Sequence, residues 1–526
     1  MRRIKILAIV VLALTGLQAY AHIDVTYCRA HWWLTPDSLF IRGSVATHFK
    51  PTSDAVSSID FDLIGHLRVD SVVSHNRHLT FKHSANKLVV TLPAAVAQGS
   101  TDSVVVHYHG KLKSTGLGSI GTHHQTHTIW TISQPYGARD WWPCKQNLYD
   151  KIDSMDIFVT CPIEYKVATN GVIVSDIPTD RKHTTHYRVR HPLNYYTIGV
   201  AVGDYIIKQE EAALSSGDTV PICYYYWPIK NPGDMMSFMT DLLNVYSDYF
   251  MPYPFADEKY GQATISGGTN IEHQTMAFLA QPENAIMVAH ELTHQWFGNY
   301  VTCSGWHNIW VNEGFATFGE LLAIEKLFPE ESEGWLDYTI TNALQAKDAL
   351  VITDTTNPNR IFDVPTTYSK GAMVVVMLRD EIGEPAFRQG CQMILERFGN
   401  GFSTIDDVRQ CFEQAADTSL VDFFNRWIYC GGHPQFKVSY NNKQSGNTII
   451  DIQQSAAKLK STDPDFYPMH ITVRLVGKNA QKDVRLHLTS PQQQFVVPTD
   501  FNVDKVIFDP NKVILGTWHL KKKGKK

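Results

Sequence analysis

Apart from one stretch near its start, the chain has no long apolar run, and none of its eight cysteines falls in a Cys-x-x-Cys pair. It also has no surplus of positive charge. Each absence removes a class of protein. Without a second apolar segment, no stable membrane insertion is expected. Widely spaced cysteines (Cys28, Cys144, Cys161, Cys223, Cys303, Cys391, Cys411, Cys430) argue against a cysteine zinc site or a thioredoxin-like redox motif. A formal net charge of −5, becoming −8 once Arg2, Arg3 and Lys5 are removed with a leader, is unsuited to nucleic acid or other polyanionic partners. The 526 residues, 44% hydrophobic and 19% charged, are enough for several globular domains.

The exceptional stretch is Ile6 to Leu17, preceded by three cations and followed by Ala19-Tyr20-Ala21. This is the pattern of a secretory signal over residues 1–21, too short to span a bilayer comfortably. The expected location is therefore periplasmic or secreted. Residues 22–208 read as an all-β, sandwich-type domain, because period-two and β-branched runs such as Ser38–Ala46, Asp102–Tyr108 and Asp156–Cys161 are separated by turn residues. His123, His124 and His127 lie there in a Gly- and Thr-flanked stretch, expected to be a polar loop and not a metal site. Helical periodicity takes over after Pro228, with Met235, Met239, Leu242, Leu243, Tyr246 and Phe250 on one stripe, and continues to Tyr429. Gly431-Gly432-His433-Pro434 punctuates the chain. Residues 433–520 return to strands as a small second β-sandwich, and residues 521–526 form a basic tail expected to be solvated. The expected fold class is thus multidomain α+β, with 209–432 as the central domain.

The central domain carries His290-Glu291-Leu292-Thr293-His294 and, after eighteen intervening residues, Glu313. Two His four apart on a helix point the same way and can grip one ion. Two His and one Glu is a three-ligand set that leaves a zinc ion its fourth position for water. One zinc ion per chain is expected on His290, His294 and Glu313. Glu291 projects about 100° round the helix from His290 and can take a proton beside the metal. Apolar flanks, Ala289 and Trp296-Phe297-Gly298, make unpaired imidazoles and a carboxylate costly there unless a metal satisfies them. Glu320, two turns beyond Glu313, is expected to orient a ligand from behind or to face solvent. Asn312 is expected to hold the Glu313 segment or to cap its helix.

These residues resemble the aminopeptidase N type of zinc metallopeptidase, a branch of the gluzincins in which HExxH is followed by eighteen residues and Glu. Three further stretches carry the resemblance: Ala138-Arg139-Asp140-Trp141-Trp142-Pro143-Cys144, Gly267-Gly268-Thr269-Asn270-Ile271-Glu272-His273 and Tyr368-Ser369-Lys370-Gly371. It spans roughly residues 25 to 435. It implies a thermolysin-like catalytic domain and release of the N-terminal residue of a peptide with a free N-terminus. Glu291 would be the general base, Tyr368 the donor to the oxyanion and Glu272 the anchor of the substrate amine. Gly267 and Gly268 would lie along the substrate backbone, and Gln134 would offer an amide oxygen. The chain departs from the pattern in two places. The glycine-rich motif has two extra residues before Ile271-Glu272, with His273 where relatives have Asn, and Ile132 stands where they have Gln. Longer relatives continue into a further helical domain, for which no room is expected here. An endopeptidase or other hydrolase on the same scaffold is the neighbouring reading. An inactive binding protein is a more remote one, because the base and all three ligands stand.

Overall fold

The computed structural model describes residues 23–52, 54–228, 235–267, 269–444 and 446–522. The expected leader lies outside these residues. The first domain is built on an eight-stranded sheet in the order Val172–Pro178, Lys182–Val189, Met155–Pro162, Ile23–Thr35, Ser38–Pro51, Asp102–Lys111, Arg68–Ser74, Arg77–His78. Alternation decides its two faces. Ala30, Trp32, Ile41, Val45, Val104 and Val106 point inward and are buried, while their neighbours in sequence point out. A three-stranded sheet, Val56–Asp62, Lys87–Val96 and Phe81–Ser84, covers the inner face, with Ile59, Phe61, Leu88 and Val90 joining the same core. Trp141 and Trp142 fill its centre beside Trp32, with ring centroids 4.6 and 5.7 Å away.

A second small sheet, Lys166–Thr169, Val200–Gly203, Thr128–Thr131 and Ile120–His123, leads to the central domain. That domain opens with a four-stranded sheet: Ile206–Ala213, Thr219–Tyr226, Tyr260–Thr264, Met276–Leu279. The strand Ile206–Ala213 crosses the boundary expected at 208/209. Its whole length pairs with Thr219–Tyr226, so the chain enters the central domain at Ile206. Helix α1 (Met235–Tyr249), helix α2 (Ala285–Thr293) and helix α3 (Trp310–Leu327) follow. They share one core, in which Leu242, Leu243 and Tyr246 of α1 meet Val288, Ala289 and Leu292 of α2 and Phe315, Phe318 and Leu321 of α3. Six further helices between Ser332 and Trp427 complete the domain. Among the described residues no helix is long and apolar enough to cross a membrane.

The last domain packs a four-stranded sheet (Gln492–Pro498, Asn447–Ala457, His433–Gln444, Thr517–Lys522) on a three-stranded one (Gln481–Leu488, Met469–Val476, Lys505–Phe508). Its final strand runs through Lys522, past the end expected at 520. Lys521 and Lys522 pair in parallel with Ser439 and Tyr440, so only the remainder of the expected tail lies outside the described residues.

Candidate metal centre

Helix α2 begins where Asn284 turns its side-chain oxygen back to accept from the amides of Ile286 and Met287, at 3.1 and 3.3 Å. It ends at Thr293, leaving His294 as its C-cap. The turn that follows folds Phe297 under this imidazole, and its carbonyl accepts from His294 Nδ1 at 3.0 Å. Gly298 makes the turn feasible: its φ is +139°, and a Cβ there would lie 3.1 Å from His294 Nδ1. Helix α3 crosses α2 and brings Glu313 to the two imidazoles.

The three donor atoms converge. Nε2 of His290 and Nε2 of His294 are 3.1 Å apart, and Oε2 of Glu313 is 3.4 and 3.2 Å from them. A tetrahedral zinc ion 2.0–2.1 Å from each ligand separates neighbouring donors by about 3.3 Å. The donor set therefore fits such an ion. Tautomers strengthen the argument. His290 gives its Nδ1–H to Oε1 of Glu320 (2.8 Å) and His294 gives its own to Phe297, so both Nε2 lone pairs and a carboxylate face one point. All three residues are buried, and a cation is what makes that arrangement stable.

The electrostatics agree. Burial disfavours the protonated imidazoles, yet Glu313 and Glu320 raise His290 well above its ordinary range, and Glu313 and Glu272 raise His294 to about 9. Burial would push Glu313 up, but His294 and His290 overcome it and hold its carboxyl at about 2. Glu291 behaves in the opposite way. Burial pushes it up to about 8 against the pull of His290 and His294, with Glu272 and Glu313 adding to the rise, and its Oε2 has no hydrogen-bond partner among the described residues. A buried carboxyl of raised proton affinity, with one oxygen free of partners among the described residues, is suited to exchanging a proton beside the imidazoles once a neighbouring cation favours its ionised form.

Tyr368 stands in a seven-residue π-helical turn, Val364–Lys370, capped by Asp363 through Thr366 N at 3.1 Å. Its ring stacks on His290 with centroids 5.8 Å apart. Burial, and then Glu313, Glu272 and Glu291, keep its hydroxyl protonated. Gly371 brings this turn in: a Cβ on Gly314 of α3 would sit 2.9 Å from the Gly371 carbonyl carbon, so the two backbones touch. Lys370, also buried, donates to the Cys430 carbonyl at 2.9 Å and fixes the turn from behind.

Glu272 is buried, and Glu272, Glu291 and His294 offer ligand atoms within 4.8 Å of one another. Gln134, expected to offer an amide oxygen, instead donates its Nε2 to Oε1 of Glu272 at 2.8 Å, because a carboxylate can only accept. Gly267 has φ +113° with open space where a Cβ would be, and Gly268 lies outside the described residues. Of the departures, Ile132 belongs with Trp130, Tyr205, Ile265, Ile271 and Phe278 to one apolar cluster, which includes the residue before Glu272. The His273 ring turns from the site toward Gly199, whose missing Cβ leaves room for it, and packs on Phe278 at 4.5 Å.

Glu320 is buried and does not face solvent; it accepts from His290 and from Trp335 Nε1 (2.9 Å). Asn312 does not cap its helix. It accepts from Cys303 N at 3.0 Å and donates to the Tyr196 hydroxyl at 3.2 Å, because it sits in the first turn facing the preceding strand. His123, His124 and His127 belong to neither group able to hold a metal. His123 bonds Thr126 (2.8 Å) and stacks on Trp227, and His127 pairs with Asp37.

Sequence reasoning missed the residues that reach the site from the first domain. Tyr196 donates to the Gly298 carbonyl (3.1 Å), and Lys151 donates to the carbonyls of Asn299 (2.6 Å) and Tyr300 (3.1 Å). Asn299 in turn donates to the Glu272 carbonyl (2.8 Å), joining the metal turn to the loop that holds Glu272.

Known proteins resemble this chain in sequence and fold. Residues 258–427 match the family model described as the Peptidase family M1 domain. A probable aminopeptidase 1 of Sulfurisphaera tokodaii is 23% identical over 457 residues, covering 82% of this chain and 56% of the relative. The glutamyl aminopeptidase of Homo sapiens is 27% identical over 337 residues, 59% of this chain and 35% of that protein. The chain thus spans about half, or less, of the length of these relatives. An M1 zinc metallopeptidase of Deinococcus radiodurans, solved with a Tyr-Ser-Ala substrate, superposes with a TM-score of 0.69 at 24% identity, covering 78% of this chain and 94% of that one. Family model, relatives and fold agree: the chain is similar to peptidase family M1, the aminopeptidase N-like gluzincins, and the family model matches its central residues 258–427.

Proposed function

We propose that the chain is a zinc-dependent aminopeptidase that removes the N-terminal residue of peptides. One observation carries the reading: the donor atoms of His290, His294 and Glu313 lie 3.1–3.4 Å apart, with Glu291, Glu272 and Tyr368 gathered round them. The names of the aminopeptidases it resembles support it.

In this proposal His290, His294 and Glu313 hold one zinc ion, whose contribution is to polarise the scissile carbonyl and bring the pKa of a water at its open position toward about 7. Glu291 takes the proton of the attacking water on its free Oε2 and later returns it to the leaving amine, a role suited to its raised pKa. Tyr368 donates its hydroxyl hydrogen to the oxygen that becomes negative. Glu272, held by Gln134, accepts from the free α-ammonium, and the backbone at Gly267 gives the substrate room beside it. Glu320 and the Phe297 carbonyl keep the imidazoles in the ligating tautomer.

Comparison of an aminoacyl anilide with its N-acetylated form tests the proposal. Cleavage of the free-amine compound alone is expected; equal cleavage of both would favour an endopeptidase and end the aminopeptidase reading. Export is a further part of the proposal, supported by Arg2, Arg3, Lys5 and the apolar run to Leu17. N-terminal sequencing of the mature protein, expected to begin near His22, checks it.

A further inference from the structure

The outward face of the eight-stranded sheet has no part in the reaction proposed above, and its composition is unusual for a solvated face. Cross-strand register sets Trp33 beside Arg42 and Arg42 beside His109 in one row, and Phe158, His31, Ser44 and His107 in the next. Ser44 and Ala46 are small, so the middle of the face sinks into a trough of about 970 Å³ with Arg29, His31 and Trp33 on one side and Phe40, Arg42, His107 and His109 lining the rest.

Two guanidinium groups stand in this trough over aromatic rings. Arg29 lies 4.7 Å from the centre of the Phe158 ring and Arg42 lies 5.7 Å from that of Trp33. The His31 ring, tied down through Nε2 to Thr160 at 2.8 Å, stacks on Trp33 with centroids 3.7 Å apart and braces that platform. The two carboxylates on this face, Asp156 opposite Arg29 in register and Asp70 in the trough lining, are paired with groups other than Arg29 and Arg42. Asp156 receives Tyr27, His186 and Arg188, and Asp70 pairs with His109. Neither Arg29 nor Arg42 has an ion-pair or hydrogen-bond partner among the described residues. In a molecule of net negative charge, two exposed guanidiniums held over rings without an ion-pair partner among the described residues leave N–H groups available to an anion from outside.

We infer that this trough binds an acidic oligosaccharide, one carrying carboxylate or sulfate groups. The guanidinium edges match such anions bidentately, and Phe40, 45% exposed, offers an apolar ring surface for the C–H face of a sugar. An extended peptide would seek a free strand edge, and here every ladder across the trough is already paired with a neighbouring strand. A flat anionic membrane cannot reach the floor of a concave site.

The test is calorimetric titration of the full-length protein with a galacturonate hexamer and with a heparin-derived hexasaccharide; which one binds tells carboxylate from sulfate recognition. Binding that weakens at least tenfold in the Arg29→Gln, Arg42→Gln double variant, with hydrolysis of small aminoacyl substrates unchanged, is the expected result. The methyl-esterified galacturonate hexamer should not bind, and raising the salt from 50 to 500 mM should weaken the charged probe. No binding of either acidic sugar, or binding indifferent to the double substitution, overturns the inference. So does equal or tighter binding of poly-glutamate or of phosphatidylglycerol vesicles. If the double variant does not fold, Arg42→Gln alone, together with the salt and methyl-ester comparisons on the unaltered protein, decides the matter by the same criteria.

Discussion

Oε1 of Glu320 accepts the Nδ1 hydrogen of His290 at 2.8 Å, while Trp335 Nε1 holds its other oxygen at 2.9 Å. The carboxylate therefore has a fixed orientation and dictates which imidazole nitrogen faces Glu313. Glu320→Ala should lower zinc affinity by about 10- to 100-fold, read by chelator competition, because a metal-bound imidazole loses the partner that fixes its tautomer. Unchanged zinc affinity would mean that packing alone orients His290.

Tyr368→Phe should lower kcat by about 10² to 10³ with one zinc ion retained, since it removes one hydroxyl donor and leaves the His290 stacking in place. Steady-state kinetics alongside metal analysis separate this from a loss of folding. A drop of less than threefold would remove Tyr368 from the reaction.

Gln134→Leu leaves Oε1 of Glu272 without its 2.8 Å donor. Hydrogen bonds to charged groups are worth about 1.5–3 kcal/mol, so kcat/KM on free-amine substrates should fall by about 10- to 150-fold. A peptide panel of increasing length, all with free N-termini, would show the loss at every length if Gln134 acts through the amine anchor. Loss confined to long peptides would contradict that role.

Lys151 is buried, and burial alone draws its ammonium down to about 7. Its folded-state pKa lies below that of the unfolded chain, so between about pH 7 and 10 the unfolded state binds more protons and the Lys151 contribution to stability grows with pH. Lys151→Met removes this dependence. In urea titrations, the stability of the unaltered protein relative to the Lys151→Met variant should rise from pH 7 to pH 9. A difference that stays constant over that range would show that the ammonium remains charged on the Asn299 and Tyr300 carbonyls.

Much of this molecule was legible in its sequence, for reasons of spacing. His290 and His294 are one helical turn apart, Glu291 falls between them, and the period-two or β-branched runs Ser38–Ala46, Asp102–Tyr108 and Asp156–Cys161 declare strands. What escaped depends on contacts that no local pattern records. Tyr196 meets Asn312 across 116 positions and Gln134 meets Glu272 across 138, so their roles appear only once two domains are docked. Lys151 reads as a surface cation until burial shows it capped by two carbonyls. Ile206–Ala213 carries mostly outward-facing residues, so its sequence gives no sign that it pairs with Thr219–Tyr226. For Asn312 the sequence left two roles open, holding the Glu313 segment or capping its helix; its partners lie on the strand before it and in the first domain.

The central claim is that a proton acceptor works beside a metal held by three other residues. Replacement of Glu291 by Gln tests it most directly, with zinc content and hydrolysis of an aminoacyl anilide measured on the same preparation. The account predicts one zinc ion per chain retained and activity lost. Activity that survives in the zinc-loaded Glu291→Gln protein would contradict it.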